Sequence, residues 1–231
     1  MPELNTAKTV CKNPFILQFS YGVEQANTYV LISGHHAIVV DVCSKSITEE
    51  LKRRELTPYF VILTHEHVDH LWGLNALRKQ FQDVRVIAQE FCSKAIGNTK
   101  INKAAQYRIY ATLRFGESYQ NEEAKNRNYC CTPAEVTFSE SYDFEWKGHL
   151  FRVAHTPGHS PGSCIIFMDE TIAFSGDTLL NEDTFLKFDG GDETLFSTVT
   201  VPVINSIKDE MIIFPGHGEP FIKRDWKKSN G

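Results

Sequence analysis

The residues His65-Glu66-His67-Val68-Asp69-His70 crowd three imidazoles and an aspartate into one short segment. They follow directly on Tyr59 to Leu63 (YFVIL), a short continuous apolar run of the kind a fully buried strand shows. Alternate residues leaving a strand point the same way, so His65 and His67 can converge on one metal ion. If the chain then turns into a helix, Asp69 and His70 are presented to a second ion. Imidazole together with carboxylate suits zinc, iron or manganese.

Three more candidate ligands stand just beyond apolar runs. His159 lies in Thr156-Pro157-Gly158-His159-Ser160-Pro161-Gly162, where glycines and prolines fix a tight turn. Asp177 lies in Ser175-Gly176-Asp177-Thr178, and His217 in Pro215-Gly216-His217-Gly218. Alone, a histidine between glycines is most often structural, and an aspartate at a strand end most often caps a helix. Their company with the first segment makes each a candidate ligand.

These side chains need strand ends to hold them. Phe15 to Tyr21 reads as a strand, and Thr28 to Ile32 with Ala37 to Val42 as a hairpin turning at Ser33-Gly34. Ser46-x-x-Glu49 has the form of a capping box and predicts a helix over 47–56, stopped by Pro58. After the buried strand and the histidine segment, a helix is expected over 71–81 and a strand from Val84 to Ala88. Residues 97–132 differ: they are polar and Asn-rich, with a helical stretch near 103–115. Ala105, Ile109 and Leu113 recur there at helical spacing, and Tyr107, Tyr110, Phe115 and Tyr119 add aromatics. This segment reads as an insertion packing on the body, with a wall over the site as the sharper alternative. Strands return at Val136 to Phe138, Tyr142 to Trp146, Leu150 to His155, Ser163 to Met168 and Thr171 to Ser175. A helix over 192–207 and a strand from Met211 to Phe214 lead to His217.

The bulk properties bound the function. The formal net charge of −5 gives no broad basic face for nucleic acid. No stretch approaches the roughly 20 apolar residues that span a bilayer, and no apolar run follows a basic start at the N-terminus. A cytoplasmic location and a small-molecule substrate are therefore expected. Cys11, Cys43, Cys92, Cys130, Cys131 and Cys164 form no CxxC pair and read as free thiols. The basic residues Lys223, Arg224, Lys227 and Lys228 read as a solvated end.

The motifs HEHVDH, TPGHSPGS, FSGDTL and PGHGEP, in this order, resemble the metallo-β-lactamase superfamily. More closely they resemble its glyoxalase II-like branch of hydroxyacylglutathione hydrolases. The resemblance runs from Asn27-Thr28-Tyr29 through Asp41 to His217. It implies an α/β fold, a four-layer αββα sandwich forming a single domain over 1–231 with the helical insertion at about 97–132, and two metals at one edge between the sheets. Carried over by motif, His65, His67 and His159 would bind the first ion, and Asp69, His70 and His217 the second. Asp177 would bridge them. Two zinc ions are implied, with iron or manganese as alternatives. The implied chemistry is attack on a carbonyl by a hydroxide shared between the ions, which Asp69 would help to orient. Asp41 resembles the buried aspartate behind the metal loop, an orienting residue. His35, His36, His149 and His155 are left as surface or packing residues.

The sequence departs from that branch in two places. Only 14 residues follow His217, so the C-terminal helical domain that helps glyoxalase II bind glutathione is not expected. Phe185-Leu186-Lys187-Phe188-Asp189-Gly190-Gly191-Asp192 keeps a Gly-Gly-Asp but lacks the arginine that often precedes it, with Lys187 near that place. A thioester or related acyl compound is the expected substrate. An iron-dependent persulfide dioxygenase and a lactonase are the alternatives on this fold. The lactonase is disfavoured because no tyrosine follows Asp177. A non-catalytic scaffold is disfavoured because all seven candidate ligands are present.

Overall fold

The structure, a computed structural model, describes residues 7–12, 14–22, 24–116, 126–181, 184–187 and 189–226. Its first sheet consists of β1 Lys8–Lys12, β2 Phe15–Tyr21, β3 Ala26–Ser33, β4 His36–Val40, β5 Thr57–Ile62, β6 Arg85–Gln89 and β7 Val136–Phe138, side by side in chain order. Pairing is antiparallel from β1 to β4 and parallel from β4 to β7. The second sheet consists of β8 Ser141–Trp146, β9 His149–His155, β10 Cys164–Met168, β11 Ile172–Gly176, β12 Ile212–Pro215 and β13 Phe221–Ile222, in the order β13-β12-β11-β10-β9-β8. Here β11 and β12 are parallel and the other pairs antiparallel. The helices are α1 Ser46–Arg53, α2 Leu74–Gln80, α3 Glu90–Ala95, α4 Ala104–Phe115, α5 Glu193–Leu195 and α6 Val201–Ser206.

Side-chain alternation along the strands builds the layers. In β3 and β4, Tyr29, Leu31, Ile38 and Val40 face one core, shared with Phe151, Val153, Ile166, Phe174 and Phe214 of the other sheet. The intervening Val30, Ala37 and Val39 face the opposite way, onto Ile47 and Leu51 of α1 and Leu74 and Leu77 of α2. On the far side of the second sheet, Ile165, Ala173 and Ile213 pack on Ile204 of α6 and Ile207. The result is helix, sheet, sheet, helix. Both faces of the central strands are buried, which is why they read as unbroken apolar runs. Each large side chain so buried contributes about 1.5–3 kcal/mol relative to exposure. Among the described residues no helix is long and apolar enough to cross a membrane.

Several elements differ from the sequence expectation. The helix expected over 47–56 is α1 Ser46–Arg53, and its N-cap is Lys45 with no side-chain hydrogen bond. The capping box does not form, because the Ser44 hydroxyl accepts from the Ser46 amide instead (3.2 Å). Glu55, at φ +55°, turns the chain out of the helix, and Pro58 lies inside β5. The helix expected over 71–81 begins only at Leu74, since Val68–His70 forms a 3₁₀ turn. The helix over 192–207 is α5, a wide-turned stretch Phe196–Thr200 and α6. β1, α3 and β13 are elements not expected from the sequence.

The helical stretch near 103–115 is α4, but its packing face is not the predicted one. Ile109 and Leu113 are exposed, while Ala104 and Tyr107 are buried against Val68 and Trp72. Tyr119 lies outside the described residues, as do Lys227 and Lys228. All six cysteines are free thiols, and Cys131 is buried although its neighbour Cys130 is exposed.

Candidate metal centre

Strands that run the same way deliver their C-terminal ends to the same edge, and this sandwich collects its chemistry there. β4 leads into Asp41, whose φ of +54° swings the chain out of the sheet while its amide still donates to the Ile62 carbonyl of β5 (3.0 Å). β5 runs out into the His65–His70 segment. β9 runs out towards His159, β11 ends at Gly176 beside Asp177, and the parallel β12 ends at Pro215, two residues before His217. The two sheets thus contribute ligand candidates from opposite sides of one cleft.

All seven predicted ligands meet there. His65, His67 and His159 each offer a donor atom within 4.8 Å of the others, and so do Asp69, His70 and His217. The His159 Nε2 lies 3.1 Å from the His67 Nδ1, and the His70 Nε2 lies 3.3 Å from the His217 Nε2. Asp177 stands between the triads. Its Oδ2 is 3.5 Å from His159 Nε2 and 4.0 Å from His65 Nε2 on one side, and 3.3 Å from His217 Nε2 on the other. Its Oδ1 is 3.5 Å from His70 Nε2. Asp69 Oδ2 is 3.4 Å from His217 Nε2 and 3.7 Å from His70 Nε2.

These residues fit a pair of metal ions on three grounds. Two nitrogens bound to one tetrahedral zinc at about 2.0–2.1 Å lie about 3.3 Å apart, close to the spacings just given. The buried Nε2 of His65 has no hydrogen-bond partner among the described residues, an arrangement that costs free energy unless something else binds it. The opposite nitrogens of four histidines are held from behind, the pattern that orients metal-binding imidazoles. His65 Nδ1 meets Thr64 Oγ1 (3.0 Å), His70 Nδ1 meets Asp41 Oδ2 (2.9 Å), His159 Nδ1 meets the Phe185 carbonyl (3.1 Å) and His217 Nδ1 meets the Glu24 carbonyl (2.8 Å). Asp41, His65 and His70 also lie close enough to form a triad. The oxygens of Asp41 are already engaged, however, by the Thr64 amide (2.8 Å), the Thr64 hydroxyl (2.6 Å) and His70. Its geometry is that of an orienting group.

The electrostatics agree with the donor set. Burial, reinforced by neighbouring imidazoles, holds His65 well below the usual histidine range and His67 down at about 3. Both are therefore neutral and keep a lone pair for a cation. Burial pushes the carboxyl of Asp69 up, but His70 and His217 more than offset it and hold it down at about 2. Burial likewise opposes the charged forms of His70 and His217, and Asp177 reverses this and raises both. The carboxylates thus draw positive charge to the cleft.

Nothing in the sequence marks Glu66 beyond its place in the segment, and the structure gives it a role. Its side chain is buried and accepts from the Ser160 hydroxyl (3.0 Å). Burial lifts its carboxyl to about 7. It pins the His65–His70 segment to the turn carrying His159. A Cβ on Gly162 would lie 2.4 Å from the Glu66 Oε2 and 2.6 Å from the Cys92 backbone nitrogen, so only glycine fits there. Of the histidines left without a role, His149 pairs with Asp169 (2.5 Å) and His155 meets the Pro161 carbonyl (2.8 Å). Lys187 is exposed, 3.8 Å from Glu193.

Comparison with known proteins places the chain in a family. The sequence profile of the Metallo-beta-lactamase superfamily matches residues 21–217. A probable metallo-hydrolase of Bacillus subtilis, YqgX, is 26% identical over 203 residues, covering 85% of this chain and 87% of that protein. The hydroxyacylglutathione hydrolase of Bartonella quintana is 27% identical over 192 residues, covering 80% of this chain and 58% of that protein. Among solved structures, the B3 metallo-beta-lactamase BLEG-1 superposes with a TM-score of 0.72 at 26% identity, covering 91% of this chain and 95% of that one. With the two-sheet architecture, the clustered histidines and aspartates and a profile match over most of its length, the chain belongs to the metallo-β-lactamase superfamily.

Proposed function

We propose that this chain is a metal-dependent hydrolase that holds two divalent cations, zinc foremost, and cleaves a thioester or related acyl substrate. His65, His67 and His159 would hold one cation and Asp69, His70 and His217 the other, with Asp177 placed to serve both. The observation that carries this reading is the position of Asp177, whose carboxylate faces the nitrogens of both triads at 3.3–4.0 Å. The similarity to a probable metallo-hydrolase supports hydrolysis. The similarity to a hydrolase of hydroxyacylglutathione keeps an acyl compound of that kind first among the substrates.

Cations held there would supply Lewis-acid chemistry for a carbonyl oxygen and for the ionisation of water near neutral pH. The chain's own residues do the rest. Asp41 orients the His70 ring through Nδ1, so that Nε2 faces the cleft. The carbonyls of Phe185 and Glu24 do the same for His159 and His217. Asp69 is ionised at neutral pH and partly open to solvent, so it accepts a hydrogen bond from water entering the cleft and orients it.

Elemental analysis of the purified protein tests the reading, followed by a screen with a thioester, a lactone and a β-lactam. The expected result is two zinc ions per chain and thioester turnover that chelation abolishes and zinc restores. Asp177→Ala is expected to prevent loading of two ions and to cut hydrolysis by about 100-fold or more. Full hydrolysis by that variant with a single ion would overturn the shared-carboxylate reading. One iron per chain with oxygen consumption on a persulfide would replace it with the dioxygenase alternative.

A further inference from the structure

Residues 102–107, at the start of α4, touch each of the three loops that position candidate ligands. The Asn102 carbonyl accepts from the Val68 amide (2.9 Å), in the middle of the His65–His70 segment. Lys103 Nζ donates to the Asp189 carbonyl (2.5 Å), in the loop whose Phe185 carbonyl holds His159. The Tyr107 hydroxyl donates to the Glu24 carboxylate, and the Glu24 carbonyl holds His217 Nδ1. Tyr107 is buried, its ring set edge-on against Trp72 with centroids 5.6 Å apart. Trp72 is held in turn against Tyr129, whose hydroxyl donates to the Leu71 carbonyl (2.6 Å).

We propose that Tyr107 is a positioning residue for the second cation: through Glu24 it sets the orientation of the His217 imidazole. The backbone around His217 is fixed independently. Asn27 donates to the carbonyls of Pro215 (3.0 Å) and Gly218 (2.8 Å), and Tyr29 donates to that of Pro215 (2.8 Å). None of those bonds sets the rotation of the imidazole about its own axis. The Glu24 carbonyl does, and it lies in a tight turn where the Gln25 amide donates to Gly22 (3.3 Å) and Gln25 has a φ of +53°. Tyr107 anchors the side chain of that turn to the body of the protein. The face of α4 that docks is thereby explained. The helix buries Tyr107 and leaves Ile109 and Leu113 outside, because its contact is with the site's supports.

This inference rests on the two-cation reading, and the experiment separates the two. Zinc is titrated into metal-free protein against a competing chelator, with wild type, Tyr107→Phe, Glu24→Met and Glu24→Gln compared. Circular dichroism in chelator checks that each is folded. Wild type must bind two ions, or the two-cation reading itself fails. Given that, Tyr107→Phe and Glu24→Met are each expected to weaken one of the two binding steps by about 10-fold, leaving the other within about 2-fold. Glu24→Gln keeps an oxygen for the tyrosine and is expected to restore wild-type binding. The double variant Tyr107→Phe/Glu24→Met is expected to lose no more than either single one, because both break the same tether. Two wild-type binding steps in Tyr107→Phe would overturn the proposal, as would an equal loss at both steps.

Discussion

Asp41→Asn isolates orientation from ligation. Asp41 is buried with three donors on its carboxylate: the Thr64 amide at 2.8 Å, the Thr64 hydroxyl at 2.6 Å and His70 Nδ1 at 2.9 Å. Its φ is +54°, a conformation that asparagine tolerates better than most residues, so the substitution leaves the backbone unstrained. Asparagine offers one oxygen and one NH₂. The Thr64 amide can only donate, so it keeps the oxygen, and the NH₂ then faces His70. His70 must accept at Nδ1 and carry its proton on Nε2, which points at His217 and Asp177. That proton blocks the lone pair a cation needs. The loss of charge-assisted hydrogen bonds costs about 2 kcal/mol, or roughly 4–8 °C in Tm for a chain of this size. The tautomer change is expected to weaken the second zinc by about 10–100-fold, roughly 1.4–2.7 kcal/mol. Melting in chelator measures the first quantity and a competitive zinc titration the second. Wild-type affinity at both zinc steps in a folded Asp41→Asn would refute the orientation argument. Asp41→Ala is less informative, because three buried donors left unpaired cost about 3–5 kcal/mol and confound binding with folding.

Two further substitutions probe the site and the core separately. Gly216→Ala would set a Cβ 2.2 Å from Asp177 Oδ1 and 2.8 Å from the carbonyl carbon of Gly176. It is expected to displace Asp177, bring zinc below two per chain by elemental analysis, and cost about 1–3 kcal/mol through overpacking. Phe174→Ala empties a place between Tyr29 and Phe214, whose rings lie 5.4 and 5.2 Å from its own. A loss of about 3–5 kcal/mol in urea unfolding is expected, with zinc per folded chain unchanged.

The sequence reveals most where one residue type has one physical purpose. The stretches Tyr29 to Leu31 of β3, Ala37 to Val40 of β4 and Phe60 to Ile62 of β5 are legible because both their faces are buried, so apolar residues run on there. The candidate ligands are legible because only a few side chains offer a metal a lone pair, and here seven of them follow strand ends. Helix boundaries are less legible. The box at Ser46 and Glu49 is a valid start signal, yet a nearer hydroxyl, that of Ser44, meets the Ser46 amide. α3 starts on Gln89, whose side chain accepts from the Phe91 amide (2.5 Å), a cap outside the usual residue types. On α4 the apolar spacing of Ala105, Ile109 and Leu113 marks the exposed side, because Tyr107 docks through an aromatic ring and a hydroxyl that periodicity counts as ambiguous.

The groups that escape a sequence reading altogether are those that act through the backbone. Phe185 and Glu24 hold His159 and His217 with their carbonyls, and a carbonyl is common to every residue. Glu66 leaves a faint trace, since a buried carboxyl needs a donor, which the Ser160 hydroxyl supplies from the turn carrying His159. The difference has a consequence for how such a site tolerates change. Exchanging Phe185 for another residue keeps its carbonyl, whereas moving the loop that carries it does not. The positions most sensitive after the ligands themselves are therefore those that fix the loops: Asp41 beneath His70, Glu66 between the two halves, and the turn of α4 that reaches Asp189 and Glu24.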